Sequence, residues 1–215
     1  MTADESLPAG GPEDGTCRPG AILAGVRGLD MSRVLAGPWA AQLLSDFGAE
    51  VVKLERPVLG DDSRSWEPSF ASSADPGLRE SAYFCSANRG KRSVTLDHTT
   101  PEGGDIVRTL ARDADVLIEN YKAGTLSRYG LGYDALARIN PRLIYVSNTG
   151  FGQTGPYRNR AGYDTIIQAI GGLMSLTGEG DGLPGAGPQR AGPPGIGLLA
   201  GVYAAPGVLG GLRQG

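Results

Sequence analysis

The chain has 215 residues, with 20 Lys and Arg against 23 Asp and Glu and a formal net charge of -3. That length suits one sizeable domain, or one domain and part of another, and the balanced charge argues against a nucleic-acid partner, which asks for a basic stripe. One histidine, His98, gives neither a histidine metal cluster nor a Ser/His/Asp triad, while two distant cysteines, Cys17 and Cys85, give no disulfide framework and point to a reducing cytoplasm.

Residues 1–22 are rich in Gly, Pro, Asp and Glu and read as a disordered tail. They lack the basic and apolar regions of a signal peptide, and no apolar run in the chain approaches membrane-spanning length. "GVRGLDMS" (25–32) reads as a strand, and "GPWAAQLLSDFGA" (37–49) as a helix with apolar spacing at Trp39, Leu43, Leu44 and Phe47. Pro38 suits the first turn of that helix and Gly48 its end. A strand at 50–57 stops at Pro57, and a polar loop follows over 58–80. Next come a strand at 91–97, a helix from Pro101 to Ala114 and a strand at 115–120. Two short helical pieces lead to a strand running into a Gly turn over 142–152. From residue 178 Gly and Pro dominate, as in a loop or linker, except for the apolar stretch Leu198 to Leu212, where Pro206 is expected to disturb a helix unless one begins near it.

Alternating strands and helices with short connections predict an α/β, doubly wound parallel sheet, with ligands beyond the carboxyl ends of its strands. The residues just past those ends are Ser32–Arg33, Arg56, Asp97–His98, Asn120–Tyr121 and Thr149–Gly150. No G-x-G-x-x-G follows the first strand, so the ordinary dinucleotide fingerprint is absent. Arginines, an asparagine and aromatics at such a mouth suit a phosphorylated, adenine-bearing ligand. The first helix also begins just beyond the first strand, where its free N–H groups favour an anion. Taken alone, Arg56 and Arg128 read more readily as solvated charges, and Lys91–Arg92 as a pair flanking a strand.

Several blocks in order carry a resemblance: "RVLAGPWAAQLLSDFGAEVVKLERP", "NRGKRSVTLD", "ADVLIENYKAGTLSRYGLGYDAL", "NPRLIYVSNTGFGQTGPYRNRAGYD" and "GGLMSLTGE". From about Gly25 to Gly178 the chain resembles the class III CoA-transferases, the family of formyl-CoA, carnitine and glutarate CoA-transferases and of alpha-methylacyl-CoA racemase. The resemblance implies a Rossmann-like CoA-binding domain over 23–178, followed over 179–215 by a Gly/Pro-rich linker and the start of a terminal helix. It implies coenzyme A or acyl-CoA as substrate with a small carboxylic acid as partner, no metal, no membrane, and an interlocked homodimer in intact relatives.

Carried over by position, the family's CoA contacts fall on Leu35, Ala36, Arg56, Leu96, Asp97, His98, Thr99, Asn120, Tyr121, Lys122, Arg128, Ala161, Gly162, Tyr163 and Asp164. These nearly coincide with the strand-end residues, which turns Arg56 and Arg128 toward ligand contact. At His98 the implied contact is through backbone, so any side chain would serve. Asp164 stays open between ligand contact and helix N-cap ahead of "TIIQAIGGLM". Tyr163 stands where the racemase branch uses a histidine base, which favours transfer over racemisation. In the family an aspartate attacks the acyl-CoA thioester and carries CoA as an aspartyl thioester. The block that follows this aspartate reads "LLAGVYAA" (198–205) here, so the nucleophile position is Gly197, and no Asp or Glu follows Asp181. The expectation is therefore a transferase by family without its catalytic aspartate, ending before the family's second half.

Overall fold

The computed structural model describes residues 21–71, 75 and 79–214; the tail expected over 1–22 falls, but for its last two residues, outside the described residues. Five parallel strands make the main sheet: β1 (Arg27–Asp30), β2 (Glu50–Glu55), β5 (Arg92–Thr95), β6 (Val116–Glu119) and β7 (Ile144–Ser147), in the order β5-β2-β1-β6-β7. Counting only these strands, the order is 3-2-1-4-5, the doubly wound arrangement, and the direction of winding reverses between β1 and β6. A crevice at the carboxyl ends of those two strands is the ligand position that this topology favours.

Helices cover both faces because the buried strands alternate their side chains between two cores. On one face, Leu29, Met31, Leu54 and Leu117 pack with Val107 and Ala111 of α3 (Pro101–Asp113) and Leu136 of α4 (Tyr133–Ile139). On the other, Val51, Val116 and Ile118 pack with Ala40, Ala41 and Leu44 of α1 (Ala36–Asp46) and Val208 of α7 (Gly195–Gln214). Thr100 caps α3 by accepting from the Gly103 N–H at 3.0 Å, with Pro101 at the first helical position.

The loop expected over 58–80 holds more structure than a polar composition suggests. It contains a short 3-10 turn (Asp62–Ser65) and an antiparallel ribbon of β3 (Ser69–Ala71) and β4 (Arg79–Ser81), leading into α2 (Ala82–Asn88). Strands of three residues carry no readable period, so the sequence gives no signal for them. After β7 come α5 (Asp164–Ile170) and α6 (Leu173–Leu176).

A second correction concerns the last helix. α7 runs unbroken through Pro206 for 20 residues, long and apolar enough to span a bilayer, where the sequence reading expects a disturbed helix and no run of that length. It lies against α1 instead, through Gly201, Ala205 and Val208. A Cβ at Gly201 would meet the Ala36 carbonyl oxygen at 2.6 Å and Trp39 Cβ at 3.0 Å, so the close approach of the two helices requires glycine there.

Candidate functional site at the carboxyl edge of the sheet

The turn after β1 is fixed by buried charge. Lys53, in the middle of β2, ion-pairs with Asp61 at 3.0 Å and Asp30 at 3.8 Å and donates to the Ser32 carbonyl at 2.9 Å. Lys91 closes on the other carboxylate oxygen of the same turn, Asp30 Oδ2, at 2.8 Å, and also donates to the Pro38 carbonyl and Asn88 Oδ1, each at 2.8 Å. Burial opposes charge on all of these groups. Even so, Lys53 and Lys91 hold the Asp30 carboxyl at about 2, while burial and the neighbouring Lys53 bring Lys91 down to about 8. Lys91 is thus a buried ion-pair partner rather than a flanking surface charge.

The same network strains the backbone. Val34 stands at φ 69°, a conformation that a β-branched residue rarely adopts, and its N–H donates to the Asp61 carboxylate at 3.1 Å and 3.2 Å. Across the β1/β6 crevice, Asn120 clasps Arg33 twice: its Oδ1 accepts from the Arg33 N–H at 2.8 Å, and its Nδ2 donates to the Arg33 carbonyl at 2.6 Å. Asn120 therefore holds the loop, although it also lines the hollows described next.

Three hollows adjoin along this edge. The first, about 440 Å³, lies over β2 and is lined by Arg33, Arg56, Asp97, His98, Thr99 and Tyr121, among others. Asp62 binds both arginines, Arg33 at 3.3 Å and Arg56 by a close ion pair. Arg33 also sits 5.1 Å from the centroid of the Tyr121 ring. His98 meets Tyr121 and Tyr129 edge-on at 5.4 Å and 5.8 Å, and its burial lowers its pKa, which favours the neutral ring. Asp97 and Thr99 are bound to each other: Asp97 Oδ1 accepts from the Thr99 N–H at 3.0 Å and hydroxyl at 2.6 Å.

The second hollow, about 600 Å³, spreads from Val34, Leu35 and Ala36 past Asn120 and Lys122 to Ala161, Gly162, Tyr163, Asp164 and Gly197. Trp66, Tyr83 and Arg190 also line it, and none of them is anticipated from sequence. They come from the 58–80 loop, α2 and the Gly-rich segment, which only the folded chain brings to this edge. The third, about 290 Å³, lies between Asn120, Lys122, Thr149, Arg158 and Gly197. Two of the residues carried over by position stand apart. Leu96 packs against the core beneath α3, and Arg128 is exposed and lines none of the three.

Gly197 lies where the second and third hollows meet. A Cβ there would touch only Leu35, at 3.4 Å, so the space that a side chain would occupy is open. The carboxylate bonded to this turn is Asp164, whose Oδ1 accepts from the Ile196 and Gly197 N–H groups at 2.9 Å and 3.2 Å. Its Oδ2 accepts from Gln168 at 2.6 Å. Asp164 is thus the first residue of α5, not its N-cap, which is Tyr163; the helix that its side chain caps is α7. Separated by 33 residues, this pairing leaves no local signal in the sequence. Among the described residues, no three His, Cys, Asp or Glu side chains group as a metal site.

CoA-transferase family III matches residues 23–215. Over 181 residues the chain is 52% identical to succinate–glutarate CoA-transferase of Agrobacterium fabrum, covering 84% of this chain and 44% of that protein. It is 46% identical over 192 residues to human succinyl-CoA:glutarate CoA-transferase, covering 89% of this chain and 42% of that one. A crystal structure of a CaiB/BaiF family protein from Brucella suis superposes with a TM-score of 0.84 at 47% identity, over 90% of this chain and 50% of that one. The chain thus spans less than half the length of these curated relatives.

Proposed function

The chain belongs to CoA-transferase family III, and from that premise we propose that it binds an acyl-CoA at the carboxyl edge of its sheet, within the framework of acyl-CoA:carboxylate CoA transfer, without supplying the nucleophile for that transfer. The observation that carries this reading is Gly197, a residue without a side chain at the meeting of two hollows, with open space above it.

The arrangement fits a CoA thioester. Arg33 and Arg56 offer guanidinium groups for phosphate, and Tyr121, Tyr129 and His98 offer ring faces and edges for a base. The second hollow leads from there to position 197, a path for the pantetheine arm. In the transfer that the family relationship implies, a carboxylate attacks the thioester carbonyl, the C–S bond breaks, and CoA thiolate leaves behind a mixed anhydride. The thiolate then attacks the enzyme's own acyl carbon, which frees the donor acid as a carboxylate. The acceptor acid reverses both steps. A hydrogen atom at position 197 can perform none of this, and Asp164 is held by three hydrogen bonds as a helix cap.

The names of the relatives point to succinyl-CoA as the donor to test and glutarate as the acceptor. Pairing of chains is part of the same reading; the exposed Leu199, Val202 and Tyr203 on α7 supply apolar surface for it. The test is covalent capture. After incubation with succinyl-CoA, intact-protein mass spectrometry of the Gly197→Asp variant is expected to show an added CoA, bound as a thioester at residue 197, and the unaltered chain none. A CoA adduct on the unaltered chain would overturn the assignment of Gly197.

A further inference from the structure

The third hollow has a chemistry of its own. Three cationic side chains line it, Lys122, Arg158 and Arg160. Six other arginines of the structure form ion pairs, at Arg33, Arg56, Arg64, Arg89, Arg92 and Arg108. Among the described residues no carboxylate pairs with these three; Arg160 rests 4.0 Å from the centroid of the Tyr157 ring. Asp164, the carboxylate on the wall, has both oxygens committed to the α7 N-terminus and to Gln168.

Beside these cations the Thr149 hydroxyl is buried without a hydrogen-bond partner, a cost that a bound acceptor would remove. The loop that carries it is held firmly. Gly150 and Gly162 pass so close that a Cβ on either would overlap the other's Cα, which fixes Thr149 against the 158–162 segment. The volume, about 290 Å³, is at the small end for ligand sites and fits a short-chain acid rather than a nucleotide.

We propose that this hollow binds a short dicarboxylic acid, with Arg158, Lys122 and the Thr149 hydroxyl holding one carboxylate so that the other faces position 197. The assignment rests on the transferase reading for its orientation. Arg158 is the specificity-determining residue: an acid lacking the second carboxylate leaves it unpaired.

The test is calorimetric titration of the full chain with glutarate and with pentanoate, each with and without saturating CoA. Glutarate is expected to bind at least about tenfold more tightly than pentanoate. Arg158→Ala should weaken glutarate by about tenfold and leave CoA affinity unchanged, the latter also showing that the variant is folded. Equal affinities for the two acids, or an unaffected variant, would overturn the proposal. Displacement of glutarate by CoA would do so too, since the cations would then serve a phosphate. Glutarate binding by a chain that does not bind CoA would sustain this site and refute the acyl-CoA reading instead.

Discussion

Asp30 and Glu55 sit at the ends of adjacent strands and carry their charges in burial, Asp30 against two lysines and Glu55 against Arg64 at 2.7 Å. Burial pushes both carboxyls up, yet Lys53 and Lys91 hold Asp30 at about 2, and hydrogen bonds from Arg64, Ser93 and the Asp61 N–H hold Glu55 at about 2. Both values lie below those of the unfolded chain, 3.8 and 4.5, so the stability that they confer is present above about pH 4.5 and is lost as the pH falls toward 2. Glu119 works in the opposite sense, because burial raises its pKa and acid relieves it. Thermal unfolding followed from neutral pH downward should therefore show a midpoint that falls between about pH 4.5 and 2, and Asp30→Asn should flatten part of that fall. A midpoint that stays level over that range would contradict the assigned network. Half of this network is visible in the sequence, since Lys53 interrupts an otherwise apolar strand, "EVVKLE". Its partners are not visible, because Asp61 and Lys91 reach it from loops whose course only the fold determines.

At the scale of elements, α7 shows why residue preference is a weak guide to where a helix ends. Proline lacks the N–H that would bond to the Val202 carbonyl and normally breaks a helix interior. Here Val202 and Pro206 face solvent, where water can take the freed carbonyl, while Gly201, Ala205 and Val208 on the opposite side dock on α1 and the sheet. Packing thus overrides propensity. Replacing Pro206 by Ala at this exposed site should raise stability in urea unfolding by roughly 1–3 kcal/mol, with no change in the slope against denaturant. A loss of stability would mean that the proline is shaped into the packing after all. Long, strongly patterned elements such as α1, α3 and the five sheet strands are legible from the sequence to within a residue or two. The ribbon and α2 are not, being too short to show a period.

Taken whole, the molecule places its chemistry where its strand order reverses. The turns after β1, β2, β5, β6 and β7 converge on one edge, and most of the strand-end residues legible in the sequence line its hollows. Two lessons lie beyond what a strand-end reading can reach. Arg128 follows β6 in sequence yet faces solvent away from the hollows, because the 3-10 turn Leu126–Tyr129 directs Tyr129 inward instead. Arg158, Arg190, Trp66 and Tyr83 follow no strand end directly and enter through loops. Binding groups are thus present along the whole edge, while position 197 is bare. That contrast makes CoA titration of the unaltered chain the most direct measurement of the account. It predicts saturable binding that weakens about tenfold in Arg56→Ala, whose guanidinium lines the first hollow; no heat at millimolar CoA, or a variant that binds as well as the parent, would contradict it.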